Sequence, residues 1–110
     1  CVLIPGHATD DMPKWPSCGG SDELWEQVCE LEISQNLDYL EYIFKPDYET
    51  HKLGGYPTFA QDAPEMPEGY DFVLQISTDF ELGLYIGDCG SYYFFYNPAK
   101  GEWRVHMDCY

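Results

Sequence analysis

The second half of the chain has the alternating hydrophobic pattern of an antiparallel sheet. Apolar residues occupy every second position of the first run, which places one set of side chains on one side of an extended segment: Tyr70, Phe72, Leu74 and Ile76. Residues 82–86 form a short second run, and residues 91–96 are almost wholly aromatic. In the last run, Trp103, Val105 and Met107 alternate with polar residues. The pattern predicts a meander of four strands, with the aromatic strand inside the sheet.

The first half of the chain has the spacing of a helix. Ser21 is a suitable N-cap, and the two acidic residues after it suit the positive end of a helix dipole. Apolar residues then recur on one helical face, at Leu24, Val28 and Leu31. The period turns to two at Cys29–Ile33, so a short strand is the alternative there. A second helical stretch is predicted over residues 37–44, ending before Pro46.

Together these elements predict one α+β domain over residues 1–110, an antiparallel β-sheet meander with one or two helices packed on one face. A chain of this length can bury about two thirds of its unfolded surface. Residues 1–20 are rich in proline and glycine and predict an irregular loop. Residues 21–45 are predicted to be mainly helical, and residues 51–110 mainly β.

The charge of the chain limits its partners. Twenty acidic and five basic residues give a formal net charge of −15. Such a surface repels phosphate backbones and anionic lipid headgroups, because it has few basic residues to replace their counterions. Nucleic acid and membrane are therefore not expected as partners. The charge favours a basic protein or a cation, and solubility is the alternative explanation for it.

The cysteines and the apolar start of the chain bear on its location. Five cysteines are an odd number without paired spacing, which favours reduced thiols and a cytoplasmic protein. The first apolar run stops at Pro5, far short of the ~20 residues that span a bilayer. No metal or cofactor is expected, because a zinc site would have to combine residues far apart in sequence: Cys18, Cys29, His51 and Cys109.

A series of short motifs runs through residues 51–110 in a characteristic order: His51-Lys52-Leu53-Gly54-Gly55-Tyr56-Pro57, Gln61-Asp62 with Pro64, Leu74-Gln75-Ile76 with Asp79, Gly87-Asp88 with Gly90, Phe94-Phe95, and Asp108-Cys109-Tyr110. This half of the chain resembles the C-terminal half of the YwqG-like family, a bacterial family of unknown function with an α+β fold. A similar half usually precedes it in that family, and here it does not, which indicates a fragment or a shortened member. Ser77 stands where the family tends to have Asp. The resemblance implies a fold and no mechanism.

The double glycine before Tyr56 has two interpretations. Adjacent glycines let a backbone approach a phosphate, but the Lys-Ser/Thr of a P-loop is missing and the chain is acidic. A tight turn that positions Tyr56 is the preferred interpretation. Gln61 and Gln75 are predicted to bond to loop backbone, since polar residues beside an apolar strand need partners.

Three carboxylates, Asp79, Glu81 and Asp88, flank the predicted strand over residues 82–86. A strand of that length spans roughly 17 Å, so Asp79 and Asp88 are expected to be too far apart for an acid and base pair. A nucleophilic pair of cysteine and histidine would need a thiolate and a base in contact, and no motif places them together: His51 and His106, Cys89 and Cys109. No catalytic residue is predicted.

The ten tyrosines exceed the need of a small core, and tyrosine beside acidic residues suits the recognition of a basic protein. The sequence therefore predicts a non-catalytic acidic protein-binding module, for example an immunity or accessory protein that binds a basic partner. The candidate binding residues are Tyr56, Gln61, Gln75, Asp79, Glu81 and Asp88. The alternative is a small metal- or thiol-dependent hydrolase.

Overall fold

The computed structural model describes residues 6, 10–13, 19, 21–42 and 51–110. The helices are α1 (Asp22–Gln35) and α2 (Tyr39–Tyr42). The strands are β1 (Lys52–Leu53), β2 (Asp71–Ser77), β3 (Ser91–Asn97) and β4 (Glu102–Asp108). The four strands form one antiparallel sheet in the order β1-β2-β3-β4. The predicted α+β class and meander are confirmed.

The aromatic strand β3 lies inside the sheet, as its pattern predicted. Tyr93 lies opposite Gln75 of β2 and opposite His106 of β4. A bulge between Phe72 and Leu74 shifts the register of β2 against β3. The strand is central because its side chains are apolar towards both faces.

One predicted strand is wrong. Residues 82–86 form a loop, in which Leu84 makes only an isolated bridge to Asp79. Gly83 and Gly87 have positive φ angles of 67° and 51°, which turn the chain out of an extended path. The fourth strand of the sheet is instead β1, a two-residue edge strand that has too little alternation to be predicted.

Helix α1 begins at its predicted cap and ends at a left-handed residue. The Ser21 side chain accepts a hydrogen bond from Leu24 N at 3.2 Å, and Asn36 at the C-cap is left-handed with φ of 51°. The alternative of a strand at Cys29–Ile33 is wrong, because the helix continues without interruption to Gln35.

The helical part has a small core of its own. Val28 and Tyr39 are buried together, with Met12 and Trp25 packed against them. The Tyr39 hydroxyl donates to the Pro13 carbonyl oxygen at 2.7 Å. The second predicted helix is present as α2, and its last predicted residues, 43–44, lie outside the described residues. Most of the predicted N-terminal loop also lies outside them, and its described positions have no helix or strand.

The two faces of the sheet differ. One face, which we call the packed face, is covered by the segment 56–66: Phe59 packs on Tyr93 and Phe95. The other, the open face, carries apolar side chains from all four strands, since cross-strand partners share a face. Its members are Leu53, Leu74, Ile76, Tyr92, Phe94, Tyr96, Trp103, Val105 and Met107.

Neither helix in the described part of the chain is long and apolar enough to cross a bilayer.

Candidate functional site

The loop between β2 and β3, residues 78–90, brings together three of the predicted site residues. We call it the acidic loop, because Asp79, Glu81 and Asp88 all lie on it. Its ends meet where Thr78 N donates to the Gly90 carbonyl oxygen at 2.9 Å. The strand that was expected to separate Asp79 from Asp88 does not exist, so the distance expected from strand length does not apply.

Asp79 organises the first half of the acidic loop. Its Oδ1 accepts hydrogen bonds from the amides of Glu81 at 2.9 Å and Leu82 at 3.1 Å. The backbone of Asp79 exchanges two further hydrogen bonds with Leu84, each 2.8 Å long. This is the local capping that aspartate favours in turns. The Asp79 carboxylate therefore positions the loop, because its two hydrogen bonds fix the backbone that follows it.

His51 joins the acidic loop to the start of β1. Its Nδ1 accepts the amide of Ser77 at 3.1 Å, so the ring hydrogen lies on Nε2, which is 3.2 Å from Asp79 Oδ2. The hydrogen bond from Leu82 N, followed by that from His51, holds the pKa of Asp79 below its ordinary value of 3.8. At neutral pH Asp79 is thus an ionised acceptor.

Thr78 fixes the second half of the acidic loop. Its Oγ1 accepts the Ile86 amide at 3.1 Å and lies 3.1 Å from the Gly90 carbonyl oxygen. Ile86 itself is buried, with 3% of its side chain exposed. Gly90 N donates to the Ile86 carbonyl oxygen at 2.7 Å. The loop is consequently anchored at its base as well as at Asp79.

Large apolar side chains project from this anchored loop into water. Phe80, Leu82 and Tyr85 are 65%, 73% and 68% exposed. The rings of Phe80 and Tyr85 contact each other edge to face, with centroids 5.6 Å apart. Glu81 and Asp88 are exposed on the same loop. The loop thus presents an apolar centre together with free carboxylates, on a backbone whose conformation is fixed by hydrogen bonds.

The sequence pattern does not predict these three apolar residues as site residues, because it indicates a strand over part of their segment. The information that could have located them is the glycine at both ends of Leu84–Ile86, at Gly83 and Gly87. Asp79 two positions before Glu81 is a second indication, since aspartate caps turns of this length.

Gln61 is connected to the acidic loop by way of the C-terminal residues Cys109 and Tyr110. Gln61 Nε2 donates to the Cys109 carbonyl oxygen at 2.8 Å, and Tyr110 N donates to the Asp88 carbonyl oxygen at 3.2 Å. A cavity of about 120 Å³ lies nearby, with walls that include Ser77, Cys89, Ser91, Tyr93 and Tyr110. It is smaller than the ~300 Å³ at which ligand pockets begin. The exposed surface, rather than the cavity, is the feature of interest.

Gln75 lies in the core, away from that surface. Its Oε1 accepts the Thr58 amide at 2.9 Å, and its Nε2 donates to Ser77 Oγ at 3.1 Å. The Ser91 hydroxyl donates to Ser77 Oγ at 2.9 Å and continues the network. Gln75 therefore holds the segment 56–66 on the packed face, which is the loop-backbone bond that its position predicted.

Asp108, in β4, holds the same segment on the packed face. It is 4% exposed, and its Oδ2 accepts the amides of Ala60 at 2.8 Å and Gln61 at 3.1 Å. Its Oδ1 lies 2.8 Å from the Tyr93 hydroxyl. Burial, and then the Asp108 carboxylate, raises the pKa of Tyr93 far above its ordinary value.

Tyr56 follows a tight turn built around a carboxylate. Asp11 Oδ2 accepts the Tyr56 amide at 2.8 Å and pairs with Lys52 Nζ at 3.0 Å. Gly55 has φ of 72°, and a side chain there would collide with Asp11. The protein's own carboxylate thus occupies the place that a bound anion would need, and the turn interpretation of the double glycine fits this geometry.

In the described part of the chain, the groups that a metal enzyme would need are dispersed. Within residues 21–42, 51–110 and the few described positions before them, no three His, Cys, Asp or Glu side chains lie close enough to hold a metal ion. Both ring nitrogens of His51 are engaged with Ser77 and Asp79. Cys29, Cys89 and Cys109 are free thiols.

Fold and site together define a small α+β domain with an acidic, apolar-centred loop at one end of its sheet. The chain belongs to the family described as "Domain of unknown function (DUF1963)", whose model matches residues 2–100. Neither a curated protein nor a solved structure gives a significant match. The family establishes no activity, so function has to be argued from the site.

Proposed function

We propose that this protein is a non-catalytic protein-binding module that binds a basic partner through the acidic loop. The observation that carries the proposal is the exposure of Phe80, Leu82 and Tyr85 on a loop fixed by hydrogen bonds. Exposed apolar groups on a rigid loop do nothing for the core, whereas they are the anchors that protein interfaces use.

The charges around this apolar centre select the partner. Glu81 and Asp88 are exposed on the loop, and the whole chain has a net charge of −15. Such a field accelerates encounter with a basic surface and repels acidic ones. An immunity or accessory protein that masks a basic partner is one form that this binding takes. The free thiols at Cys29, Cys89 and Cys109 support a cytoplasmic location.

The six predicted site residues then differ in how close they lie to the proposed binding surface. Glu81 and Asp88 meet the partner directly, and Asp79 positions Glu81 through its amide. Gln61 lies at the margin of the surface, bonded to Cys109. Tyr56 and Gln75 support the packed segment instead. Within its family, we propose that residues 51–110 correspond to the C-terminal half of YwqG-like members.

A peptide display library tests the proposal by letting the purified chain select its own ligands. Selection on the wild-type chain should enrich peptides that combine Lys or Arg with apolar residues. A double variant, Phe80→Ser with Leu82→Ser, keeps every charge and should lose this enrichment. The matched control is Ile33→Ser, which removes a residue of helix α1 that is 84% exposed. Enrichment of neutral or acidic peptides, or equal enrichment by the double variant, would contradict the proposal.

A further inference from the structure

The open face of the sheet is an exposed apolar surface separate from the acidic loop. The register arranges its side chains in three rows: Leu53, Leu74, Phe94 and Val105 in the centre, Ile76, Tyr92 and Met107 on one side, and Tyr96 with Trp103 on the other. The described strands place no Lys or Arg on this face, and Asp71, opposite Tyr96, is the charge at its margin. A continuous uncharged surface of this kind marks an interaction site.

The size of the open face suits a weak specific interface. Leu53, Tyr92, Trp103, Val105 and Met107 are between 40% and 73% exposed. Aromatic side chains such as Tyr92 and Trp103 offer roughly 150–250 Å² each and the aliphatic ones somewhat less, so about half of the five areas together is on the order of 500 Å². Two such faces would bury on the order of 1,000 Å², at about the lower limit for specific protein interfaces.

We infer that the occupant of the open face is a second copy of this chain, packed sheet on sheet. A second copy supplies a surface of the same extent with the same uncharged centre, so an isologous contact would bury no charge at its centre. A basic surface would gain little there, because the centre of the face carries no acid and Asp71 is the charge at its margin. This inference is independent of the proposed function, because the two surfaces share no residue.

Stacked sheets pack about 10 Å apart with their strands rotated by about 30°. In that arrangement Trp103 and Tyr96, whose rings are 4.8 Å apart, remain at one border of the contact.

Pairing of two β4 edges is the other way to join two copies. In the symmetric register centred on Val105 it would place Glu102 opposite Asp108 of the other copy, and like charges directly opposite each other are destabilising.

Salt dependence separates the two kinds of contact. Two copies of charge −15 repel each other, so dimerisation through the open face should strengthen as salt screens that repulsion. Binding of a basic peptide by the acidic loop should weaken over the same range. Sedimentation velocity at about 1 to 200 µM chain, in about 50 mM and about 500 mM NaCl, measures the first effect. We expect a reversible dimer with a micromolar dissociation constant at the higher salt.

Variants assign the dimer to the open face. Val105→Glu should raise the dimer dissociation constant by roughly 100-fold or more, because it buries an unpaired charge in the contact. Val105 is 55% exposed, so the monomer should tolerate the change, and circular dichroism checks that it does. Ile33→Glu adds the same charge on helix α1 and should leave dimerisation unchanged. A chain that stays monomeric at the highest concentration and salt, or a Val105→Glu dimer of unchanged affinity, would overturn the inference.

Discussion

The Tyr93 hydroxyl lies 2.8 Å from Asp108 Oδ1, and both side chains are buried against the segment that covers the sheet. The same hydroxyl lies 2.9 Å from the Thr58 carbonyl oxygen, so its single hydrogen is shared between two acceptors. Asp108 accepts two backbone amides from the same segment. This pair connects β3, β4 and the segment 56–66.

Replacement of Asp108 by Asn should destabilise the fold strongly. Asparagine can turn its oxygen to the two amides and its NH₂ to the Tyr93 oxygen, but the bonds then lose the carboxylate charge, and a hydrogen bond to a buried charged group is worth roughly 1.5–3 kcal/mol. We expect the free energy of unfolding to fall by about 2–3 kcal/mol in urea denaturation. Asp88→Asn, at an exposed position, should change it by no more than about 0.5 kcal/mol. Equal effects of the two changes would show that Asp108 does not hold the segment.

Alkaline pH should weaken the fold through Tyr93. Its pKa is raised in the folded protein above the value near 10 of an unfolded tyrosine. The stability contributed by protonated Tyr93 is therefore complete below pH about 10 and is lost as the pH rises from there. Urea denaturation from pH 8 to 11 should show a steeper loss for wild type than for Tyr93→Phe. The comparison with Tyr93→Phe isolates the effect of this one hydroxyl, and parallel curves would contradict the assignment.

Much of the fold could be predicted from the sequence, because β2, β3 and β4 alternate strongly enough to define both strand and face. Helix α1 could be predicted in the same way, from its cap at Ser21 and its helical spacing. The conformation of the acidic loop could not be predicted from the sequence. Leu84–Ile86 has the composition of a strand, and the capping by Asp79 that bends the chain there depends on side-chain geometry rather than on periodicity.

The candidate site could be predicted only in part, since its contacts join residues far apart in sequence. Asp79, Glu81 and Asp88 were identified by charge and do lie on one loop. Gln75 looks the same in sequence whether it lies in a core or on a surface, and its burial depends on Thr58, 17 positions away. The exposure of Phe80 depends on which face of the loop is packed, a property that hydrophobicity alone does not encode.

Removal of the Asp79 side chain should loosen the acidic loop while the sheet remains folded. In Asp79→Ala the amides of Glu81 and Leu82 lose their acceptor, so their hydrogen exchange should become several-fold faster. Amides of β3, such as that of Phe94, provide the internal control. Unchanged exchange at Leu82 would show that Asp79 does not order the loop.

Acid should have the same effect on the wild-type loop. Because the pKa of Asp79 is lowered in the folded protein, its contribution is complete above the ordinary value of 3.8 and is lost as the pH falls below that value. The chemical shifts of the Glu81 and Leu82 amides should follow this titration in wild type. The Leu82 amide should lose most of this shift in Asp79→Ala, and a titration of unchanged size there would point to another group.

Titration calorimetry with a selected basic peptide tests the central claim, that Phe80 and Leu82 anchor a basic partner on the acidic loop. The double variant Phe80→Ser with Leu82→Ser should weaken binding by roughly 30-fold, the loss of one interface hot spot of about 2 kcal/mol. Ile33→Ser should bind as wild type does, and all three chains should unfold at the same urea concentration. Binding of equal strength in the double variant and in wild type would contradict the account.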